Sequence, residues 1–339
     1  MKKITLIGGS GFVGTNLSNY FYTHEIPFEI IDLKISNQFP DYCKIGDVRA
    51  IETLRDSITG DVIIDLAAVH RDDVADKDEY YNTNVVGARN IATVCNEKNI
   101  SKIIFFSSVA VYGFAPIGTN ENGKINPFNE YGKTKFQAEE EYRKLYFSKS
   151  NSLIIIRPTV IFGDGNRGNV YNLLNQIAFG RFLMIGSGKN KKSMAYIHNL
   201  VSFVDECIKD EKKYRIFNYV DTPDLDMNTL VECVRKTLKK KNNFRIRLPY
   251  YFGLFLAFII DILSKILRKR FPISKIRVKK FCSSTEFTSS KNELNNFIAP
   301  YSLIEGLENT ITNELIHPSA SKEIFYTEWK NFTDSRYTK

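Results

Sequence analysis

Residues 2–22, KKITLIGGSGFVGTNLSNYFY, read as a short apolar strand, a glycine turn and an amphipathic helix. The turn fits two spacings at once: Gly9, Gly11 and Gly14, and Gly8, Gly11 and Gly14. Glycines so placed permit a tight turn and a close backbone approach to a diphosphate, and the helix N-terminus behind them supplies N–H donors and a favourable dipole. The strand before and the helix after give the turn the context this function requires. A second strand, PFEIIDL, ends at Asp32, 18 residues beyond Gly14. A carboxylate there accepts hydrogen bonds from a ribose diol and repels a 2′-phosphate. The pattern therefore predicts NAD rather than NADP, with Lys34 next to it weakening the discrimination slightly.

The alternation continues outward from this unit. IGDVRA and DVIIDLAAVH place Asp47 at the end of a third strand and Ala67–Ala68 at the end of a fourth. Small residues there let the backbone lie against a flat cofactor. HRDDV (His70 to Val74) follows at a strand's carboxyl end, where open α/β sheets place ligands. His70 can reach a substrate; Arg71, Asp72 and Asp73 equally suit a solvated loop with internal ion pairs. A helix from about Tyr80 to Lys98 leads to IIFFSS, a buried strand ending in Ser107 and Ser108. Then comes YGKTKFQAEEEYRKLYF, which reads as helix and places Tyr131 and Lys135 on one face at i and i+4. A phenol has a pKa of about 10, too high for a base at neutral pH, and a neighbouring ammonium lowers it. Taken alone, the pair suits a surface helix better. After SLIIIRP the alternation breaks at Pro158.

The expected fold is α/β: a doubly wound parallel sheet with a smaller C-terminal α/β substrate domain. Residues 1–162 form the cofactor domain, with returning elements near 195–220; residues 163–317 form the second domain, and 318–339 a flexible tail.

The chain has 339 residues, enough for a large core. Its five cysteines are odd in number, scattered and never in CxxC, which argues against a disulfide framework or a metal site and for a reducing compartment. Lys2 and Lys3 lead directly into a strand, so no signal peptide is expected. The net charge of +9 is local: eight basic residues and no acid lie between Ile262 and Thr285, leaving 9 − 8 = +1 elsewhere. A nucleic-acid partner is not expected. Within 163–192, Arg167, Arg181, Lys189, Lys191 and Lys192 sit in glycine-flanked loops that suit a diphosphate-bearing substrate; for about half of them, solubilising loop cations are the plainer account. Residues 250–263 are apolar apart from Asp261, too few for a bilayer span of about 20 residues. Asp261, Ser264, Lys265 and Arg268 make a narrow polar stripe, followed by Lys269, Arg270, Lys275, Arg277, Lys279 and Lys280. Such a segment fits a helix lying in an anionic interface, and equally a core helix with a solvated charge run.

With the glycine turn, Asp32, Ser108, Tyr131 and Lys135 in order, the chain resembles an extended short-chain dehydrogenase/reductase of the Rossmann-type NAD-dependent epimerase/dehydratase family, over residues 1 to about 315. The resemblance implies that Tyr131 takes a proton from a sugar hydroxyl, that Ser108 hydrogen-bonds the same oxygen, and that Lys135 holds the nicotinamide ribose and depresses the Tyr131 pKa. It also implies an NAD site formed by Gly8, Gly11, Phe12, Val13, Gly14, Asp32, Asp47 and Val48. Leu66, Ala67, Ala68, Asn84, Ser107, Tyr131, Lys135 and Pro158 complete that site.

The departures narrow the class. Related dehydratases carry an Asp–Glu pair just after the Ser/Thr; here Val109 and Ala110 stand there and transfer no proton. Val160 in RPTVIFG replaces a usual Asn, and Lys192 in KSMAY stands where Arg is common. AVHRDDV, SSVAVYG, NRGNVYNLL, KSMAY, YVDTPDL and RVKKFC are similar to the bacterial 4-epimerases of undecaprenyl-diphosphate-linked N-acetylglucosamine, which serve O-antigen-type glycans. That likeness implies a lipid-linked sugar bound near His70, Arg71, Ser108, Val109, Arg167, Asn169 and Lys192. It also implies a membrane surface met through 250–280, and a peripheral place on the cytoplasmic face of the inner membrane. A cytoplasmic UDP-GlcNAc or UDP-glucose 4-epimerase, a sugar reductase and a non-catalytic NAD-binding scaffold are the rival readings. A homodimer stays among the candidate partners.

Overall fold

The computed structural model describes residues 2–71, 74, 76–146, 151–240, 247–267, 274–318 and 323–326. Chain order begins β1 (Ile4–Ile7), α1 (Phe12–Thr23), β2 (Phe28–Asp32), β3 (Cys43–Ile45), α2 (Ile51–Ser57) and β4 (Val62–Asp65). A short helix α3 (Asp78–Tyr80) continues through a π-helical stretch, Tyr81–Val86, into α4 (Gly87–Glu97). Then follow β5 (Lys102–Phe106), α5 (Glu130–Leu145) and β6 (Ser152–Pro158). These six strands pair in parallel in the order β6-β5-β4-β1-β2-β3, and Tyr214–Tyr219 adds a seventh beside β6.

The strands are continuous apolar runs because both faces are covered. Alternation sends Leu6, Ile30, Ile64, Ile104 and Ile154 into one core. Ile7, Ile31, Ile63, Ile103 and Ile155 enter the other. The strand order reverses between β1 and β4, so the crevice at their carboxyl ends is where such a sheet receives a ligand.

Boundaries differ locally from the sequence expectation. β3 stops at Ile45, so Asp47 lies in the following turn, and β4 stops at Asp65, so Ala67 and Ala68 lie just past it. Val160–Phe162, expected within the cofactor domain, pairs instead with Lys191–Tyr196, which also pairs with Asp221–Asp226. The expected flexible tail also contains order: Phe325–Tyr326 pairs with Asn166–Arg167, and the Phe325 ring lies 5.8 Å from that of Phe12. The rest of that tail from 327 lies outside the described residues, as do Asp72, Asp73, Arg268, Lys269 and Arg270.

The apolar segment forms one helix, Tyr250–Leu267, followed by a basic helix, Lys275–Cys282. Ala257 is fully buried, and a Cβ on Gly253 would meet the Ile185 side chain at 2.7 Å, so the small residues face the protein. Tyr251, Phe252, Phe255, Phe258, Ile259, Ile262 and Leu263 are exposed. The helix therefore turns its large apolar residues outward, the reverse of a core helix. Among the described residues no helix is long and apolar enough to cross a membrane.

Candidate active site

The glycine turn packs where sequence reading placed it, and its geometry explains the residue choice. Gly8 has φ +74°, and a Cβ on it would lie 2.7 Å from the Ala67 amide nitrogen. A Cβ on Gly14 would lie 2.3 Å from the Gly9 carbonyl oxygen, so the turn and α1 pack backbone to backbone. Gly11 instead opens onto space, with only the Gly8 oxygen near at 3.5 Å, and it begins α1 without a side-chain cap. Uncapped N–H groups facing an open cradle are a site for an anion. Phe12 and Val13 form the first turn of α1. Asp32 closes the cradle: its carboxylate accepts the Ser10 amide at 3.0 Å and the Lys34 amide at 3.4 Å. A diphosphate at the turn and a ribose diol at Asp32 are what this cradle fits, as NAD requires.

Other residues expected at the cofactor are occupied by the protein itself. Asp47 pairs with Arg49 at 2.7 Å, and that hydrogen-bonded guanidinium holds its carboxyl below the usual range. Val48 packs under Gly87, and Leu66 donates its amide to Ile7. The Asn84 side chain accepts from the Val69 amide and donates to the Val69 carbonyl and the Thr134 hydroxyl. It thus positions the strand end next to the cofactor crevice. Pro158 closes β6 opposite Tyr219.

Ser108, Tyr131 and Lys135 are carried by β5 and α5. Ser108 starts a short 3-10 turn, Val109–Tyr112, and its Oγ accepts the Ala110 amide at 3.1 Å, leaving its hydroxyl proton to donate elsewhere. Asn129 caps α5 through the Gly132 amide at 2.9 Å. A Cβ on Gly132 would lie 2.4 Å from the Ala110 oxygen, so the first turn of α5, with Tyr131, rests directly on the turn that follows Ser108. Lys135 lies one helical turn on, 2% exposed, its ammonium 4.6 Å above the Phe105 ring centroid. Burial pushes that ammonium down to about 8, against the opposing pull of Asp65 and Glu139.

Those two carboxylates, which motif reading passed over, are the charges that act on Lys135. Asp65 ends β4, accepts the Tyr142 hydroxyl at 2.7 Å and the Ala67 amide at 3.0 Å, and burial raises its carboxyl against the Lys135 charge. Glu139 is fully buried and ties the strand ends together. It accepts from Ser107 Oγ at 2.6 Å and from Arg157 at 2.6 and 2.8 Å. Arg157 in turn donates to the Tyr112 hydroxyl at 2.7 Å. Ser107 therefore serves this network. The available signals were an acid ending the apolar run VIID and another at i+4 from Lys135.

On the substrate side the expected residues separate. Val109 adjoins Ser108, and His70 and Arg71 are exposed beyond β4. Asn169 begins the helix Asn169–Ala178. Arg167 faces Glu314 at 2.9 Å and covers the Tyr171 ring, so its charge is answered inside the protein. Lys192 donates to the carbonyls of Lys280 and Ser283 at 2.9 and 2.5 Å, clamping the end of the basic helix, and burial pulls its ammonium down to about 8. Beside it, a cavity of about 290 Å³ is lined by Ile185, Ser187, Asn190, Tyr250, Lys279 and Ser283.

Comparison with known proteins places this geometry. The model of the NAD dependent epimerase/dehydratase family matches residues 4–219. N-acetyl-alpha-D-glucosaminyl-diphospho-ditrans,octacis-undecaprenol 4-epimerase of Escherichia coli O157:H7 is 46% identical over 332 residues, 96% of this chain and 99% of that protein. UDP-glucose 4-epimerase of Vibrio cholerae is 28% identical over 70% of this chain and 76% of its own length. Among solved structures, UDP-N-acetylglucosamine 4-epimerase from Bacillus cereus superposes with a TM-score of 0.74 at 20% identity, covering 94% of this chain and 100% of that one. The Bacillus cereus UDP-glucuronic acid 4-epimerase in complex with NAD gives 0.70 at 17% identity, with 93% and 99% covered. These structural likenesses concern the fold.

Proposed function

Because the chain belongs to the NAD dependent epimerase/dehydratase family, we propose that it is a 4-epimerase interconverting GlcNAc and GalNAc carried on undecaprenyl diphosphate. The observation that carries the reading is the 46% identity, end to end, with an epimerase named for that substrate. NAD, when bound in the glycine-turn cradle, supplies reversible hydride acceptance at the sugar carbon. The chain's own part is proton control. Tyr131 takes the C4 hydroxyl proton, Ser108 donates a hydrogen bond to the same oxygen, and charged Lys135 keeps the Tyr131 phenol acidic enough to act. Asp65 and Glu139 keep Lys135 charged. After the 4-keto sugar has turned over, Tyr131 returns the proton to the oxygen on the opposite configuration. Val109 and Ala110 offer no acid or base for loss of water, so substrate and product have equal mass.

The lipid carrier places the enzyme at a membrane surface, met by the outward apolar face of Tyr250–Leu267 and the cations that follow it. This reading is supported by the exposure of Tyr251 (83%) and Phe255 (57%), with no helix among the described residues long and apolar enough to cross a membrane. The test is incubation of the purified protein with GlcNAc-diphospho-undecaprenol and with UDP-GlcNAc, assaying GalNAc from each and following added NADH. GalNAc on the lipid carrier without stoichiometric NADH loss is expected; NADH consumed in proportion to product would make the protein a reductase.

A further inference from the structure

The loop from Gly113 to Phe128 closes on itself next to the catalytic turn. Gly113 has φ +65°, a Cβ on it would lie 2.0 Å from the Asn126 carbonyl oxygen, and the Asn126 amide donates to Val111 at 3.0 Å. The loop's tip is pinned by the chain beyond the basic helix: the Gly118 amide donates to Glu286 at 2.8 Å, and the Thr288 amide to Thr119 at 3.0 Å. At the base, Phe114 and Phe128 stack with centroids 4.7 Å apart, yet they are 68% and 48% exposed. Phe128 directly precedes Asn129, the cap of the helix that carries Tyr131.

Lys280 completes the cluster. Its ammonium lies 4.3 Å from the Phe128 centroid and 6.0 Å from that of Phe114, and among the described residues no carboxylate pairs with it. The helix that carries it begins against the outward-apolar helix, where the Lys275 amide donates to Asp261 at 3.0 Å and the Lys275 ammonium stands 5.7 Å over Phe258. One helix of eight residues thus runs from the apolar helix to the ring that precedes the Asn129 cap. A stacked pair of rings left in water gains by being covered with an apolar group. A cation held only over rings at an exposed site is weakly held and available to an anion. A polyprenyl diphosphate presents those two features in succession.

Resting on the proposed epimerase activity, we infer that Phe114, Phe128 and Lys280 form the subsite for the chain-proximal phosphate and first isoprene units of the substrate, between Tyr131 and the apolar helix. Lys280 meets the phosphate, and the two rings cover the alkene chain as it leaves. The occupant is the substrate's own tail, chosen by the pairing of an apolar platform with a cation that meets no carboxylate among the described residues.

The test uses two water-soluble substrates: GlcNAc-diphosphate esterified with a two-isoprene chain, and the same diphosphate esterified with a methyl group. Wild type should prefer the isoprenyl ester in kcat/KM. Phe114→Ser/Phe128→Ser should lower that preference at least tenfold through KM, leaving the methyl ester within about twofold, with NAD affinity and melting midpoint unchanged. Phe114→Leu/Phe128→Leu, which keeps the apolar surface, should retain the preference. Lys280→Gln should raise KM for both esters alike. An unchanged preference in the Ser variant, or an equal loss on both esters, overturns the subsite. Wild type that turns over UDP-GlcNAc and neither ester defeats the proposed lipid-linked substrate itself, and does so before any variant is measured.

Discussion

The surroundings of Lys135 and the helices from Tyr250 to Cys282 treat charge and apolar surface in opposite ways. Around Lys135 the ammonium is buried and answered: Asp65 and Glu139 oppose its desolvation, and Tyr142, Ser107 and Arg157 satisfy those carboxylates in turn. On Tyr250–Leu267 large apolar side chains face outward, and beyond it Lys279 and Lys280 have no carboxylate partner among the described residues. A buried, compensated charge tunes chemistry, because pKa follows the local field. An exposed apolar face with unanswered cations is complete only when it meets an apolar and anionic phase. In the proposed function the first region carries the reaction, and the second carries the place where it occurs.

The sharpest break in that contrast comes at the proposed catalytic base. Tyr131→Phe keeps the ring and its packing and removes the proton acceptor, so turnover should fall about 10²–10⁴-fold with NAD binding retained. Steady-state rates beside NAD titration check this. The second region should respond in location instead. Replacing Arg268, Lys269, Arg270, Lys279 and Lys280 with Gln removes about 1 kcal/mol of surface attraction each near an anionic leaflet. The variant should move from the membrane pellet to the supernatant and bind NAD as before, and high salt should release wild type in the same way. Phe255→Ser/Ile259→Ser should weaken attachment too while shifting the melting midpoint little, since both side chains are exposed. A collapse in melting midpoint would mean that this face is covered by protein.

Smaller effects test the electrostatics of the first region. Asp65→Asn removes one of the two charges that oppose desolvation of Lys135. The alkaline limb of kcat/KM, where Lys135 loses its proton near 8, should move down by about one pH unit, an about tenfold loss on that limb. Stability should run the other way. The folded pKa of Lys135 lies below its unfolded value of 10.5, so the unfolded chain binds the extra proton between about 8 and 10.5. The contribution of this group to stability therefore rises with pH across that window. Denaturant midpoints at pH 8 and 10 in wild type and Lys135→Met would show it, because the variant lacks the rise.

Local pattern carried most of this into view from sequence. The glycine turn, Asp32, Ser108 and the Tyr131/Lys135 pair are each fixed by a strand end or a helical spacing, so neighbouring residues suffice to find them. The partners of Lys135 were harder to read because Asp65 reaches it across β4 and β5, and because Glu139 is fixed by Arg157 on β6. The same holds for Phe325–Tyr326 pairing with Asn166–Arg167, where tertiary pairing over a long separation sets the outcome; Tyr214–Tyr219 beside β6 instead falls within the returning elements expected near 195–220. Arg167 and Lys192 looked like ligands for a diphosphate because their charge was visible and their partners, Glu314 and the end of the basic helix, lay more than 80 residues away. The outward face of Tyr250–Leu267 was likewise undecided from its residues alone, since an all-apolar helix does not say which side is covered.

The most direct measurement is the rate of GalNAc formation by purified protein on GlcNAc-diphospho-undecaprenol and on UDP-GlcNAc, side by side, with wild type and Tyr131→Phe. Turnover of the lipid-linked sugar by wild type, far above that on UDP-GlcNAc and lost in Tyr131→Phe, is the predicted result. Turnover confined to UDP-GlcNAc, or lipid-linked turnover that survives Tyr131→Phe, would contradict it.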